Sequence, residues 1–103
     1  MTDRELLELA AKAAGMTLLG SADEKGVYPS GMCGAWNPLT DDGDALRLAV
    51  KLGMLLKVQE YGASVRVGVS RWWGMEAHLH GGIEAATRRA ITRAAAEIGR
   101  AMS

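Results

Sequence analysis

Residues 36–53, Trp-Asn-Pro-Leu-Thr-Asp-Asp-Gly-Asp-Ala-Leu-Arg-Leu-Ala-Val-Lys-Leu-Gly, constrain the fold more than any other stretch. A loop, a helix start, an apolar helix face and a helix stop are all legible within it. Asn37-Pro38 marks a turn, because proline pushes the residue before it out of helical geometry. Thr40 is placed to cap the helix that follows. Asp41, Asp42 and Asp44 crowd its first turn, where free amides and the helix dipole favour carboxylates. Ala45, Leu48, Ala49 and Leu52 share one face, Leu46 and Val50 widen it, and Arg47 and Lys51 lie opposite. Gly53 supplies the stop. So wide an apolar face predicts a helix packed deeply against a sheet.

Upstream, Thr2 followed by Glu5 is a capping-box pattern that starts a helix at Asp3, with Leu6, Leu9, Ala10 and Ala13 on its dry face and Gly15 at its exit. A hairpin is expected next, with strands over 16–22 and 27–33 around the turn Asp23-Glu24-Lys25-Gly26. Pro29 removes a ladder donor and marks the second strand as an edge.

Downstream, strands are expected over 54–59, 65–70 and 75–80, joined by Glu60-Tyr61-Gly62-Ala63 and Arg71-Trp72-Trp73-Gly74. In the last of them Met75, Ala77 and Leu79 alternate with Glu76, His78 and His80. Gly81-Gly82 releases the chain into a helix over 83–102, striped by Ile83, Thr87, Ala90, Ile91, Ala94, Ile98 and Ala101. Glu84 and Arg88 are spaced as a one-turn pair on that helix. The order α-β-β-α-β-β-β-α with short connections predicts one α+β domain over residues 1–103. Its architecture is a sandwich with a mainly antiparallel sheet of about five strands.

The entry Trp36-Asn37-Pro38-Leu39-Thr40-Asp41 into an alanine- and leucine-rich helix resembles that of small bacteriophage and prophage proteins grouped as the phage αβα sandwich domain. The closing Ala85-Ala86-Thr87-Arg88-Arg89-Ala90-Ile91 helix and the order of elements extend the resemblance over most of the chain. It implies a fold and a mobile-element origin. It brings no catalytic residues.

Composition narrows the function classes. Hydrophobic residues at 49% and charged residues at 23% describe a chain that can bury a core. Twelve basic and twelve acidic side chains cancel, which argues against a nucleic-acid or anionic-membrane partner. Cys33 is alone, so no internal disulfide is expected. The acidic start of the chain does not read as a signal peptide, and no apolar run reaches the roughly 20 residues of a membrane span. A cytoplasmic location in a bacterial host cell is the expectation.

Three constellations are candidates for function. Arg71, Trp72 and Trp73 combine the residue types of a partner-binding surface, although the absence of Phe makes the tryptophans natural core material. Glu76, His78 and His80 would share one strand face and suit zinc. Against the metal stands the simpler polar-face reading of the same residues. Arg89, Arg93 and Arg100 fall in one arc on the outer face of the last helix and suit phosphate contacts, with Glu84 and Glu97 interspersed. Phosphate-loop and nucleophile-elbow patterns are absent, and no cofactor is called for. The expected role is that of a phage-type accessory protein that binds a host or phage protein, or itself as a homo-oligomer. A metal module at the histidines and nucleic-acid binding through the last helix are the alternatives.

Overall fold

The computed structural model describes residues 1–68 and 72–102, apart from the side chain of His78. Helix α1 spans Asp3–Ala13, and its capping box forms as the spacing requires. The Glu5 amide donates to Thr2 Oγ1, and the Thr2 amide donates to Glu5 Oε1, both at 3.2 Å. At the other end Met16 N–H bonds the Ala11 carbonyl and Gly15 N–H the Lys12 carbonyl, with Gly15 at φ +75°. That is a Schellman ending, which satisfies carbonyls the helix cannot.

The hairpin expected over 16–22 and 27–33 is not a ladder. Leu18 meets Pro29, Asp23 meets Gly26 and Val27 meets Trp36 as isolated bridges. Pro29 has no N–H to give, and Gly20, Gly31 and Gly34 at φ of 75°, 85° and 96° repeatedly turn the chain out of extended geometry. The turn itself holds, with Asp23 and Gly26 exchanging backbone bonds of 3.0 and 3.1 Å. This segment carries Trp36, only 2% exposed, into the core, where it exchanges backbone bonds with Val27.

Helix α2 spans Asp42–Leu52 and is capped by Asp41, not Thr40. The Thr40 and Asp41 amides both bond the Asn37 carbonyl, so the turn runs one residue past the expected cap. Asp41 Oδ2 then accepts the Asp44 amide at 2.8 Å. Gly53, at φ +63°, ends α2 as expected.

Strands β1 (Met54–Gln59), β2 (Gly62–Val67) and β3 (Trp73–Glu76) form an antiparallel meander in the order β1-β2-β3. The described sheet thus has three strands, not about five, because the first hairpin never joins it. The α+β class stands. β2 opens at Gly62 rather than at residue 65, since Gln59 pairs with Gly62 across a two-residue turn. β3 stops at Glu76, and Ala77–Leu79 is a 3-10 turn.

Helix α3, Ile83–Ala101, is the centre of the molecule: α1, α2 and all three strands pack on it. Its buried side chains are Ala86, Ala90, Ile91, Thr92, Ala94, Ala95, Ala96 and, as a bare backbone, Gly99. That is wider than one stripe, because the helix is covered by α1 on one side and by the sheet on another. Small residues on both helices let α1 and α3 approach until a Cβ built on Gly99 would run into the Leu9 carbonyl. Arg88 does not turn to Glu84. Its Nε bonds the Leu39 carbonyl at 2.9 Å and its Nη1 bonds Asp42 at 2.6 Å, tying α3 to the start of α2.

Candidate interaction surface

β1 is an edge strand, and it is the least covered element of the core layer. Leu55, Leu56 and Val58 are 50%, 41% and 52% exposed. Their cross-strand partners explain the asymmetry: Val65 and Ala63, opposite Leu56 and Val58, are buried under α3, which covers β2 and β3 far better than it covers β1. Leu55, opposite Arg66, points to the other face of the sheet.

α2 extends the apolar surface. Ala45, Leu48 and Ala49 are buried as expected, but Leu46 and Val50 are 58% and 72% exposed. The apolar face is therefore wider than the groove that receives it, which corrects the expectation of a deeply packed helix. Leu46, Leu56, Val58, Ile83 and Ile91 line an open groove of about 320 Å³ between α2, β1 and α3, with the Asp42–Arg88 ion pair on its rim. An exposed, hydrophobic edge strand is a template for pairing with another chain. Lys57 is its one charged residue.

The loop Trp36-Asn37-Pro38 is fixed to α2 by buried polar groups. Asp44, 6% exposed, accepts the Asn37 amide at Oδ2 (2.9 Å) and the Arg47 guanidinium at Oδ1 (2.8 Å). Asp41 caps α2, Asp42 pairs with Arg88, and Asp44 holds the loop, so each of the first-turn aspartates has a structural partner.

Among the tryptophan candidates, Arg71 lies outside the described residues. Trp72 is 44% exposed, and the Arg66 guanidinium lies 4.9 Å over its ring. Trp73 packs against the core, with the Arg93 guanidinium 5.6 Å over it. Adjacent in sequence, the two rings do different jobs.

The histidine candidates lose the strand that would have aligned them. Glu76 ends β3, His78 falls within the 3-10 turn, and His80 follows it, so the every-second-residue alternation is gone. Among the described residues no three His, Cys, Asp or Glu side chains come together as a metal site, and the His78 side chain lies outside them.

The arginine arc is engaged at home. Arg89 bonds Asp3 at 2.9 Å, Arg93 bonds Glu97 at 3.2 Å, and Arg100 lies 3.6 Å from the same Glu97. Arg89 and Arg93 are half-buried between packed elements instead of standing on an outer face, because α3 is the central helix. Among the described residues no helix is long and apolar enough to cross a membrane.

The exposed edge was not singled out in the sequence, yet a signal for it exists. Leu55-Leu56 are consecutive apolar residues on a strand, so they must face opposite sides. The first strand of a three-strand meander is also an edge by topology. No family model, curated protein or solved structure matches the chain.

Proposed function

We propose that the protein acts by binding another protein surface through the β1–α2 face, in an accessory role of the kind the phage-type resemblance implies. The observation that carries the reading is an edge strand with half-exposed apolar side chains on both its faces, Leu56 and Val58 on one and Leu55 on the other, beside exposed Leu46 and Val50 on the adjacent helix. Exposed apolar side chains beside the open edge of a sheet favour pairing with another chain. Apolar side chains flanked by an ion pair also match the anatomy of binding surfaces, where a dry centre carries the energy and a polar rim sets orientation.

The test is substitution of Leu46, Leu56 and Val58 together by threonine or serine. The expected result is loss of association, with itself or with a captured protein, by more than tenfold, while far-UV circular dichroism and cooperative unfolding persist. Association that survives these substitutions, or a chain that associates with nothing at any accessible concentration, overturns the proposal.

A further inference from the structure

We propose that the occupant of this edge is a second copy of the chain: two β1 strands pair antiparallel about a two-fold axis centred on Leu56, joining two 3-stranded sheets into one. The inference rests on the binding reading above and names its partner.

Backbone parity makes the register definite. β1 and β2 are joined by Glu60 and Tyr61, with Gln59 opposite Gly62. A two-residue hairpin closes on a hydrogen-bonded pair, and such pairs alternate along an antiparallel ladder. Gln59, Lys57 and Leu55 therefore turn their backbone groups toward β2. Met54, Leu56 and Val58 turn theirs to the open edge.

A symmetric antiparallel pair must place outward groups opposite outward groups, which restricts the centre to Leu55, Leu56 or Lys57. Centring on Lys57 sets two ammonium groups directly opposite each other, which is unfavourable. Centring on Leu55 overlaps only residues 54–56 of the strand. Centring on Leu56 overlaps residues 54–58, setting Leu56 against its own twin and Met54 against Val58 of the partner subunit. Lys57 then lies beside Leu55 of the partner subunit, its stem on an apolar neighbour and its ammonium in water. The axis stands perpendicular to the sheet, so both grooves, with Leu46 on their flank, fall on the same side of the joined sheet.

The area fits a reversible dimer. Leu46 and Val50 on α2, Leu56 and Val58 on the α3 side of β1, and Leu55 on its other side amount to on the order of 400 Å² of exposed apolar surface per copy, within the range of the largest apolar patch on a monomer, a patch that often marks a contact site. With the strand backbones, complete burial of that surface in both copies covers at most about 1,000 Å², the size of a weak, reversible interface. The balanced charge, 12 basic against 12 acidic side chains, sets up no net repulsion between copies.

Sedimentation velocity of the full chain across roughly 1–500 µM tests this. A reversible monomer–dimer transition is expected, weakened at least tenfold by Leu56→Lys with unchanged circular dichroism. In a Cys33→Ser background, Leu56→Cys is expected to oxidise readily to a disulfide dimer. Opposed Cα atoms of a hydrogen-bonded pair lie about 5.5 Å apart, within disulfide reach. Gln59→Cys, far from the axis, is expected to stay monomeric under the same oxidant. A strict monomer overturns the inference, and so does a dimer indifferent to Leu56→Lys or one that cross-links better through Gln59→Cys. A monomer that captures a different protein in a Leu56-dependent way overturns the second copy while leaving the binding reading intact.

Discussion

Replacing Asp44 by alanine tests whether the loop at Trp36 is held by a buried hydrogen bond or by the surface ion pair. The carboxylate does two things: Oδ2 accepts the Asn37 amide at 2.9 Å in a buried setting, and Oδ1 accepts Arg47 at 2.8 Å. Removing it leaves the Asn37 N–H without an acceptor, which costs about 1–3 kcal/mol. The Arg47 side chain is 71% exposed, so its pair with Asp44 is screened and contributes under about 1 kcal/mol. Asp44→Ala is therefore expected to lose about 2–3 kcal/mol. Arg47→Ala should lose well under 1 kcal/mol. Asp44→Asn falls between them, because an amide oxygen still accepts from Asn37 but without the charge. Urea unfolding followed by tryptophan fluorescence measures all of these, since Trp36 sits beside the bond in question. If Arg47→Ala costs as much as Asp44→Ala, the ion pair holds the loop and the buried hydrogen bond does not.

Two further outcomes follow from the packing and the titrating groups. Gly99→Ala would gain about 1 kcal/mol from helix propensity at an open site, but here the methyl meets the Leu9 carbonyl. A net loss of about 1–3 kcal/mol in chemical unfolding is expected, and a gain would refute the close α1–α3 approach. The Asp23 carboxyl is held below its ordinary value of 3.8, chiefly by the Tyr28 hydroxyl that donates to it at 2.7 Å and then by the Lys25 amide. A lowered folded value means stability that is present above the unfolded pKa and lost as pH falls through the folded one. Tyr28, raised above 10.0 by the same bond, loses its contribution only as pH rises through that higher value. Tyr28→Phe should therefore lower stability at pH 7 and leave it nearly unchanged once Asp23 is protonated, as paired urea melts would show.

The helices and their ends were the legible part of this chain. Thr2 with Glu5, Gly15 and Gly53 act through local backbone geometry, so a short sequence window contains the whole cause. The fold class was legible too, from short connections between apolar strands. The first hairpin was not, because its outcome turns on glycines whose positive φ values only the tertiary setting selects. The histidine face failed for a related reason: the alternation of residues 75–80 is genuine, but Ala77–Leu79 winds into a 3-10 turn beneath α3, and periodicity alone does not register that. Leu46 and Val50 read as core because apolar residues at helical spacing usually are. Their exposure depends on how far β1 lies from α3, which no local window contains. Arg88 illustrates the same limit, since its real partners, Leu39 and Asp42, are more than 40 residues away in the chain.

The central place of α3 has a consequence for the order of events during synthesis. Among the helices and strands α1 packs chiefly on α3, so much of its apolar side, Leu6, Leu7, Ala10 and Ala11, stays uncovered until residues 83–101 emerge. About 70 residues separate the two helices, several seconds of translation at roughly 5–20 residues per second. An 11-residue helix is marginal in water on its own, even with both ends well capped. α1 is thus made well before the helix that secures it, and its caps serve a helix that must wait for its partner.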